Sequence, residues 1–285
     1  MVNECRSGTE ERLGLAILAV KYTVTSPRLA YSLYGESEAP GLVFVNGLAG
    51  RQEVWFHQVR AFREDFRVLC LDNRGAGRSE SSRDSVSMST YAEDLLRVMD
   101  EAGFETASFV GLSFGGRILQ ELALAAPERV NRLVIGGTSC GGVPHQNGKW
   151  SLRALFRPGR PVNEEELYER VIPALFGPRY VESHEKHLRI LCRSWAGAPP
   201  DPVGLERQWD AYDAFDVAAR LPEISCPVLV VHGEDDGLSP MENAEYLTQQ
   251  IRDAVLVRLS GVGHSPNVEC PARFNQALSD FLRSS

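Results

Sequence analysis

The chain has 285 residues, of which 43% are hydrophobic and 24% charged, and a formal net charge of -8. That length suits one large domain, or a core domain carrying an insertion, and the composition is that of a soluble globular protein rather than a disordered or fibrous one. The acidic balance argues against nucleic acid as a partner, because phosphate recognition needs a basic face.

Residues 1–20 are expected to form an N-terminal extension. Within it the run 13–20 is apolar but too short to span a membrane. Glu4, Glu10 and Glu11 interleave with Arg6 and Arg12, so the basic start of a signal peptide is missing. Residues 21–24 and 29–34 predict a leading antiparallel pair of strands. After them, short apolar runs alternate with amphipathic stretches. The runs 42–45, 68–71, 107–110, 132–135 and 228–231 have the unbroken apolar character of strands buried on both faces, and 255–259 predicts a further strand near an edge. Helical spacing of apolar residues predicts helices over 91–102, 114–126, 241–250 and 272–283. Alternating strands and helices imply an α/β architecture: a mostly parallel sheet with helices on both faces. The alternation fails over 141–221, where prolines divide a stretch rich in Arg, Glu and Trp into short helical pieces. This segment is expected to be a helical cap inserted into a core made of 21–140 and 222–285.

The six cysteines (Cys5, Cys70, Cys140, Cys192, Cys226 and Cys270) show no CxxC pair and no metal-ligand spacing. Free thiols in a reducing, cytoplasmic setting are the simplest account, and Cys70, inside an apolar run, is expected to behave as a small hydrophobe.

The most informative stretch is Gly111-Leu112-Ser113-Phe114-Gly115, between a predicted strand and a predicted helix. A serine on such a sharp turn presents its hydroxyl clear of its neighbours, and the flanking glycines leave room for the close backbone approach. A serine hydroxyl becomes a nucleophile when a histidine takes its proton and a carboxylate orients that histidine. His264 follows a strand, in Gly261-Val262-Gly263-His264-Ser265-Pro266, where a loop falls at the carboxyl end of a parallel sheet. Glu234, Asp235 and Asp236 follow the strand ending at Val231 and are the carboxylate candidates. The chain order is therefore serine, acid, histidine.

From residue 22 to residue 282 the chain resembles the α/β-hydrolase fold superfamily. Besides Gly-x-Ser-x-Gly, the resemblance rests on Asn46-Gly47-Leu48-Ala49-Gly50, where members carry an oxyanion loop, and on Asp72-Asn73-Arg74-Gly75-Ala76-Gly77-Arg78-Ser79. Ala126-Pro127-Glu128-Arg129-Val130 and Pro271-Ala272-Arg273-Phe274 fit further family patterns. The resemblance implies Asp236, three residues past Gly233, as the acid, with Ser113 as nucleophile and His264 as base. It also implies the backbone N–H groups of Leu48 and Phe114 as an oxyanion hole. No cofactor or metal is implied.

Other polar residues have plainer expected roles. His232 is expected to be a strand-end histidine, His57 to pack beside Trp55, and His184 and His187 to be solvated rather than ligating. The 72–79 loop is expected to be structural, with its arginine pairing nearby. Arg153, Arg157, Arg189 and Arg193 are expected on solvated faces. Among Trp150, Phe156, Tyr168, Phe176, Trp195, Trp209, Tyr212 and Phe215, some should face the cleft, implying a largely apolar pocket.

The subgroup most similar in motif is the 3-oxoadipate enol-lactonase-like hydrolases. Ala76 and Gly47 stand where that subgroup often has histidine and serine. The implied function is hydrolysis of a small ester or lactone through an acyl-enzyme. Carbon–carbon bond hydrolysis, cofactor-free perhydrolysis and a non-catalytic, receptor-like use of the pocket are the alternatives the same residues allow.

Overall fold

The chain forms eight strands, the last six on runs of valine, leucine, isoleucine and phenylalanine: β1 (Lys21–Tyr22), β2 (Ala30–Tyr34), β3 (Gly41–Val45), β4 (Arg67–Leu71), β5 (Ala107–Leu112), β6 (Val130–Gly136), β7 (Val228–Gly233) and β8 (Ala254–Leu259) among the described residues. They form one sheet in the order β1-β2-β4-β3-β5-β6-β7-β8. β1 and β2 pair antiparallel, as do β2 and β4, and every later pairing is parallel. The computed structural model describes residues 20–151, 153 and 163–284. The expected extension 1–20 thus lies outside the described residues except for Val20, as do Cys5, Phe156 and Arg157.

Helix α1 (Phe56–Phe62) follows β3, α2 (Met88–Ala102) follows β4 and α3 (Phe114–Ala125) follows β5. Between β6 and β7 the chain carries a helical run over 164–175 (α4), then α5 (Pro178–Ser183), α6 (Glu185–Gly197) and α7 (Pro202–Ala214). Among the described residues this stretch contains no strand. α8 (Met241–Gln250) follows β7, and α9 (Pro266–Glu269) and α10 (Pro271–Leu282) follow β8.

Successive strand residues point to opposite faces. Val43, Val45, Leu69 and Phe109 pack on one side with Leu95, Met99 and Leu119 of α2 and α3. Leu42, Phe44, Val68 and Val110 pack on the other with Val59 and Phe62 of α1 and Phe274 and Leu278 of α10. Both faces of the central strands are therefore dry, which is why those strands show no polar alternation. The helical stretch has a small core of its own, around Leu167, Val171, Ile172, Phe176, Leu188 and Cys192.

Helix α2 begins three residues before the predicted start. Ser87 caps it, its hydroxyl accepting from Thr90 N while Thr90 Oγ1 accepts from Ser87 N, and Gly103 closes it in the left-handed region. Apolar periodicity begins only at Tyr91 because the first turn is specified by capping, not by burial.

Phe109 is fully buried in β5, whereas Val255 on the edge strand β8 is 53% exposed. Phe109→Ala is expected to lower the unfolding free energy by about 3–5 kcal/mol, and Val255→Ala to change it by about 0.5 kcal/mol or less. Urea titration followed by far-UV circular dichroism measures both.

Candidate active site

Ser113 joins β5 directly to α3 and holds φ 56°, ψ -119°, a conformation rare for a residue with a side chain. Its own amide donates to the Gly136 carbonyl at 2.8 Å, tying the turn to β6. A Cβ at residue 111 would lie 2.7 Å from Leu119 Cδ1, and one at 115 would strike the Val45 carbonyl. Glycine at both positions lets α3 start against the ends of β3 and β5, so the Ser113 side chain is carried above the middle of the sheet.

His264 and Asp236 arrive from the loops after β8 and β7. His264 Nδ1 lies 2.8 Å from Asp236 Oδ2, and both residues are less than one-tenth exposed. The other carboxylate oxygen of Asp236 accepts from the amides of Leu238 and Ser239, each at 2.9 Å. Burial pushes this carboxyl up. The His264 charge and hydrogen bond, His232 and the Ser239 amide outweigh that and hold it below its ordinary value. Asp235 and Glu234 are exposed, so of the three candidates only Asp236 meets the histidine.

His232 is fully buried, its Nε2 3.6 Å from Asp236 Oδ2. The Gly137 amide points at its Nδ1 from 3.3 Å, and its Nε2 donates to the Ser239 carbonyl at 2.8 Å. That pattern selects the neutral Nε2–H tautomer, and burial lowers its proton affinity further. It is thus the strand-end histidine the sequence predicts.

Opposite α3, the loop after β3 brings Leu48 to the same cavity wall as Ser113 and His264. Phe114 is the first residue of α3, so its N–H has no intrahelical acceptor. The loop is cross-braced: Asn46 Nδ2 donates to the Leu71 carbonyl at 2.7 Å, and Asn73 Nδ2 to the Asn46 carbonyl at 3.0 Å. The Asp72 carboxylate accepts from the amides of Gln52 and Arg78 at 2.7 and 3.0 Å. The 72–79 loop is a scaffold, as expected. Arg74, however, does not pair within the loop: it forms a two-pronged bond to Asp94 of α2, both contacts at 2.7 Å.

A cavity of about 370 Å³ opens over Ser113. Its walls include Trp150, Trp209, Tyr212 and Leu238, so some of the expected aromatics do face it, while Phe176 and Phe215 are packed in apolar cores. Arg153 lines the cavity and pairs with Asp213. Arg189 and Arg193 pair with Glu164, Glu165 and Glu185 away from it. His57 lies exposed on α1, its ring edge-on to Phe56, and His184 is stacked on Tyr180.

Three residues of the site escape a reading by motif. Arg117 is 2% exposed and lines the cavity one helical turn after Ser113. It donates to the Tyr212 carbonyl at 2.7 Å and to Ser139 Oγ at 2.8 Å, its guanidinium lying 3.6 Å from the Tyr212 ring centre. Its i+4 spacing from the serine was the available signal. His145 also lines the cavity, with its proton affinity lowered by burial and then by Arg117. Gln208 of α7 is fully buried; its Oε1 accepts from the Ala49 amide at 2.7 Å and its Nε2 donates to the Arg74 carbonyl at 3.0 Å. No sequence signal marks a pairing across 159 positions.

The α/β-hydrolase fold family matches residues 40–271. A protein of Stutzerimonas stutzeri (strain A1501) named "Putative carbamate hydrolase RutD" is 30% identical over 260 residues, covering 88% of this chain and 96% of its own. The 3-oxoadipate enol-lactonase 2 of Acinetobacter baylyi is 27% identical over 274 residues, covering 94% and 99%. Among solved structures, the enol-lactonase from Burkholderia xenovorans LB400 superposes with a TM-score of 0.81 at 30% identity, covering 93% of this chain and all of its own.

The depressed titration of Asp236 has a consequence for stability. Its folded value lies below the ordinary 3.8, so the stabilisation from its ionised form is complete above that pH and lost as pH falls through the folded value. The gap in unfolding free energy between wild type and Asp236→Asn should therefore narrow as pH is lowered from about 6 to about 3. Urea titrations across that range check it; a gap that stays constant would assign the cost of the substitution to something other than the charge.

Proposed function

This chain belongs to the α/β-hydrolase fold family, and from that premise we propose that it is a serine hydrolase acting on a small ester or lactone through an acyl-enzyme. The observation that carries this reading is the 2.8 Å His264–Asp236 pair, whose histidine lines the same cavity as a serine held on a strained strand-to-helix turn. Ser113 Oγ attacks the carbonyl carbon while His264 Nε2 takes its proton, and Asp236 fixes the imidazole with its proton on Nδ1 and stabilises the imidazolium. The N–H groups of Leu48 and Phe114 receive the oxyanion, the latter at the positive end of α3. The imidazolium then returns the proton to the leaving oxygen. Water, activated by the same histidine, releases the acid.

The helices between β6 and β7 act as a cap that supplies the outer wall of the pocket. Trp150, Trp209 and Tyr212 suit an apolar substrate body, and the cavity volume suits a small one. Arg117 ties the wall beside the nucleophile together, joining α3 to the Tyr212 carbonyl of α7 and to Ser139. Hydrolysis of a carbamate is a second reading, favoured by the 30% identity to the Stutzerimonas stutzeri protein over 88% of this chain. The five free cysteines among the described residues, four of them buried, support a cytoplasmic setting. No helix of the described residues is long and apolar enough to cross a membrane.

A fluorophosphonate probe is expected to label wild type and not Ser113→Ala. On p-nitrophenyl acetate, Ser113→Ala and His264→Ala should each lower kcat by a factor on the order of 10⁴ or more. Asp236→Asn should lower it severely and Asp235→Asn hardly at all; the reverse order would move the acid to Asp235. Wild type that fails to label beside a reactive control hydrolase would point to the non-catalytic alternative.

Gln208→Ala should lower kcat about tenfold with a smaller change in KM, because it frees the Ala49 amide and loosens the loop that carries Leu48. Steady-state kinetics on the same ester measure the split.

A further inference from the structure

The histidine loop is held by a group that no motif of the site includes. Glu269, the last residue of α9, uses a single oxygen, Oε2, to accept two backbone N–H groups: that of Gly263, adjacent to His264, at 2.9 Å, and that of Gly177, at the entry to α5 of the cap, at 3.1 Å. Its other oxygen is buried and has no protein partner. A second cross-link lies alongside, the Ser265 amide donating to the Leu175 carbonyl at 3.1 Å. The three strands of backbone are in close contact. A Cβ at residue 263 would come within 2.5 Å of the Gly177 nitrogen, and one at residue 177 within 2.7 Å of Glu269 Oε1.

A partly buried carboxylate with one unsatisfied oxygen is a costly way to pin a loop, since an apolar residue at a helix end carries no such penalty. Burial, followed by the nearby charges of Asp235 and Asp236, raises its proton affinity, while the two amides counter the rise. Charge-assisted N–H···O⁻ bonds are short and directional, so the oxygen fixes where Gly263 sits in relation to Gly177. Because His264 follows Gly263 immediately, the same oxygen sets the height of the imidazole above Asp236 and beside Ser113.

We propose that Glu269 is a positioning residue, which registers His264 for proton transfer and ties that register to the seating of the cap. This rests on the serine-hydrolase reading above. A carboxylate bridging the histidine loop and the cap makes the base and the outer pocket wall move as one unit, so disturbance of the cap reaches the rate of chemistry and not only substrate affinity.

The test compares wild type, Ser113→Ala, Glu269→Ala, Glu269→Gln and Glu269→Asp on p-nitrophenyl acetate and with a fluorophosphonate probe, each variant first checked for native circular dichroism. Glu269→Ala should lower kcat about 10–100-fold with KM within about threefold, and the labelling rate of Ser113 should fall by the same factor. Glu269→Gln, whose amide oxygen can accept both N–H groups, should recover kcat to within about threefold of wild type. Glu269→Asp keeps the charge but falls a methylene short of bridging both amides, and should lose about tenfold or more; with Glu269→Gln it carries the test if the alanine variant does not fold. Kcat within about twofold of wild type in folded Glu269→Ala or Glu269→Asp, a loss confined to KM, or a glutamine variant as slow as the alanine one would overturn the proposal. Wild type that does not label, or Ser113→Ala that does, would overturn the hydrolase reading itself and this proposal with it. Normal labelling with an unaffected Glu269→Ala overturns this proposal alone.

Discussion

The geometry of the site depends on one strained turn. A non-glycine residue in the conformation of Ser113 costs on the order of 1–3 kcal/mol and persists only where its surroundings over-determine it. Here they do. β5 is paired on both sides, the Ser113 amide is held by the Gly136 carbonyl, and α3 begins at the next residue. Relief of the strain would have to break a central strand or unseat a helix whose Ile118, Leu119 and Leu122 are buried. The glycines at 111, 115 and 116 permit that approach of helix to sheet, so they and the strain form a single constraint.

A second constraint is electrostatic. Asp236 is withdrawn from water, and a buried carboxylate is tolerated only if its lone pairs are used. His264 and the Leu238 and Ser239 amides use them. His232 has its Nδ1 turned toward an amide donor and its proton committed to a carbonyl, so it approaches the acid without competing for the role of His264. The proposed chemistry, which needs one mobile proton, is thereby protected from a second histidine 3.6 Å from the same oxygen.

What the sequence made legible follows from the range of the interactions involved. Strands buried on both faces announce themselves as unbroken apolar runs, and the serine turn is a local demand for glycine at fixed offsets. The alternation of strands and helices, a mostly parallel sheet covered on both faces and the placement of Ser113 between a strand and a helix could therefore be read directly. Asp236 could be separated from Asp235 only by resemblance, because exposure of one and burial of the other depend on a turn closed by Leu238 and Ser239. Arg117 was passed over although it lies one turn beyond the serine. Gln208 and Glu269 were invisible for a different reason: each serves backbone amides, which carry no side-chain identity, at sequence separations of 159 and 92 from their cap or loop partners.

On the proposed mechanism, those two residues also give the helical stretch between β6 and β7 a route to influence chemistry it does not perform. It has its own apolar core, and its polar anchors fall on opposite sides of Ser113. Gln208 reaches the loop after β3, and Gly177 meets Glu269 beside the loop after β8. On the Gln208 side the packing is tight as well, since a Cβ on Gly75 would lie 2.5 Å from the Gly204 Cα of α7. A wall that merely covered the pocket could be rebuilt for a new substrate without cost to the rate. A wall hydrogen-bonded to the loop of Leu48 on one side and, through Glu269, to the loop of His264 on the other cannot, because shifting it displaces the proposed oxyanion donor and the proposed base together. On the proposed mechanism specificity and turnover are then not independent properties of this protein: a pocket-lining side chain such as Trp209 can vary in place, while the backbone between β6 and β7 must stay where Gln208, Glu269 and the Arg117 bond to the Tyr212 carbonyl hold it.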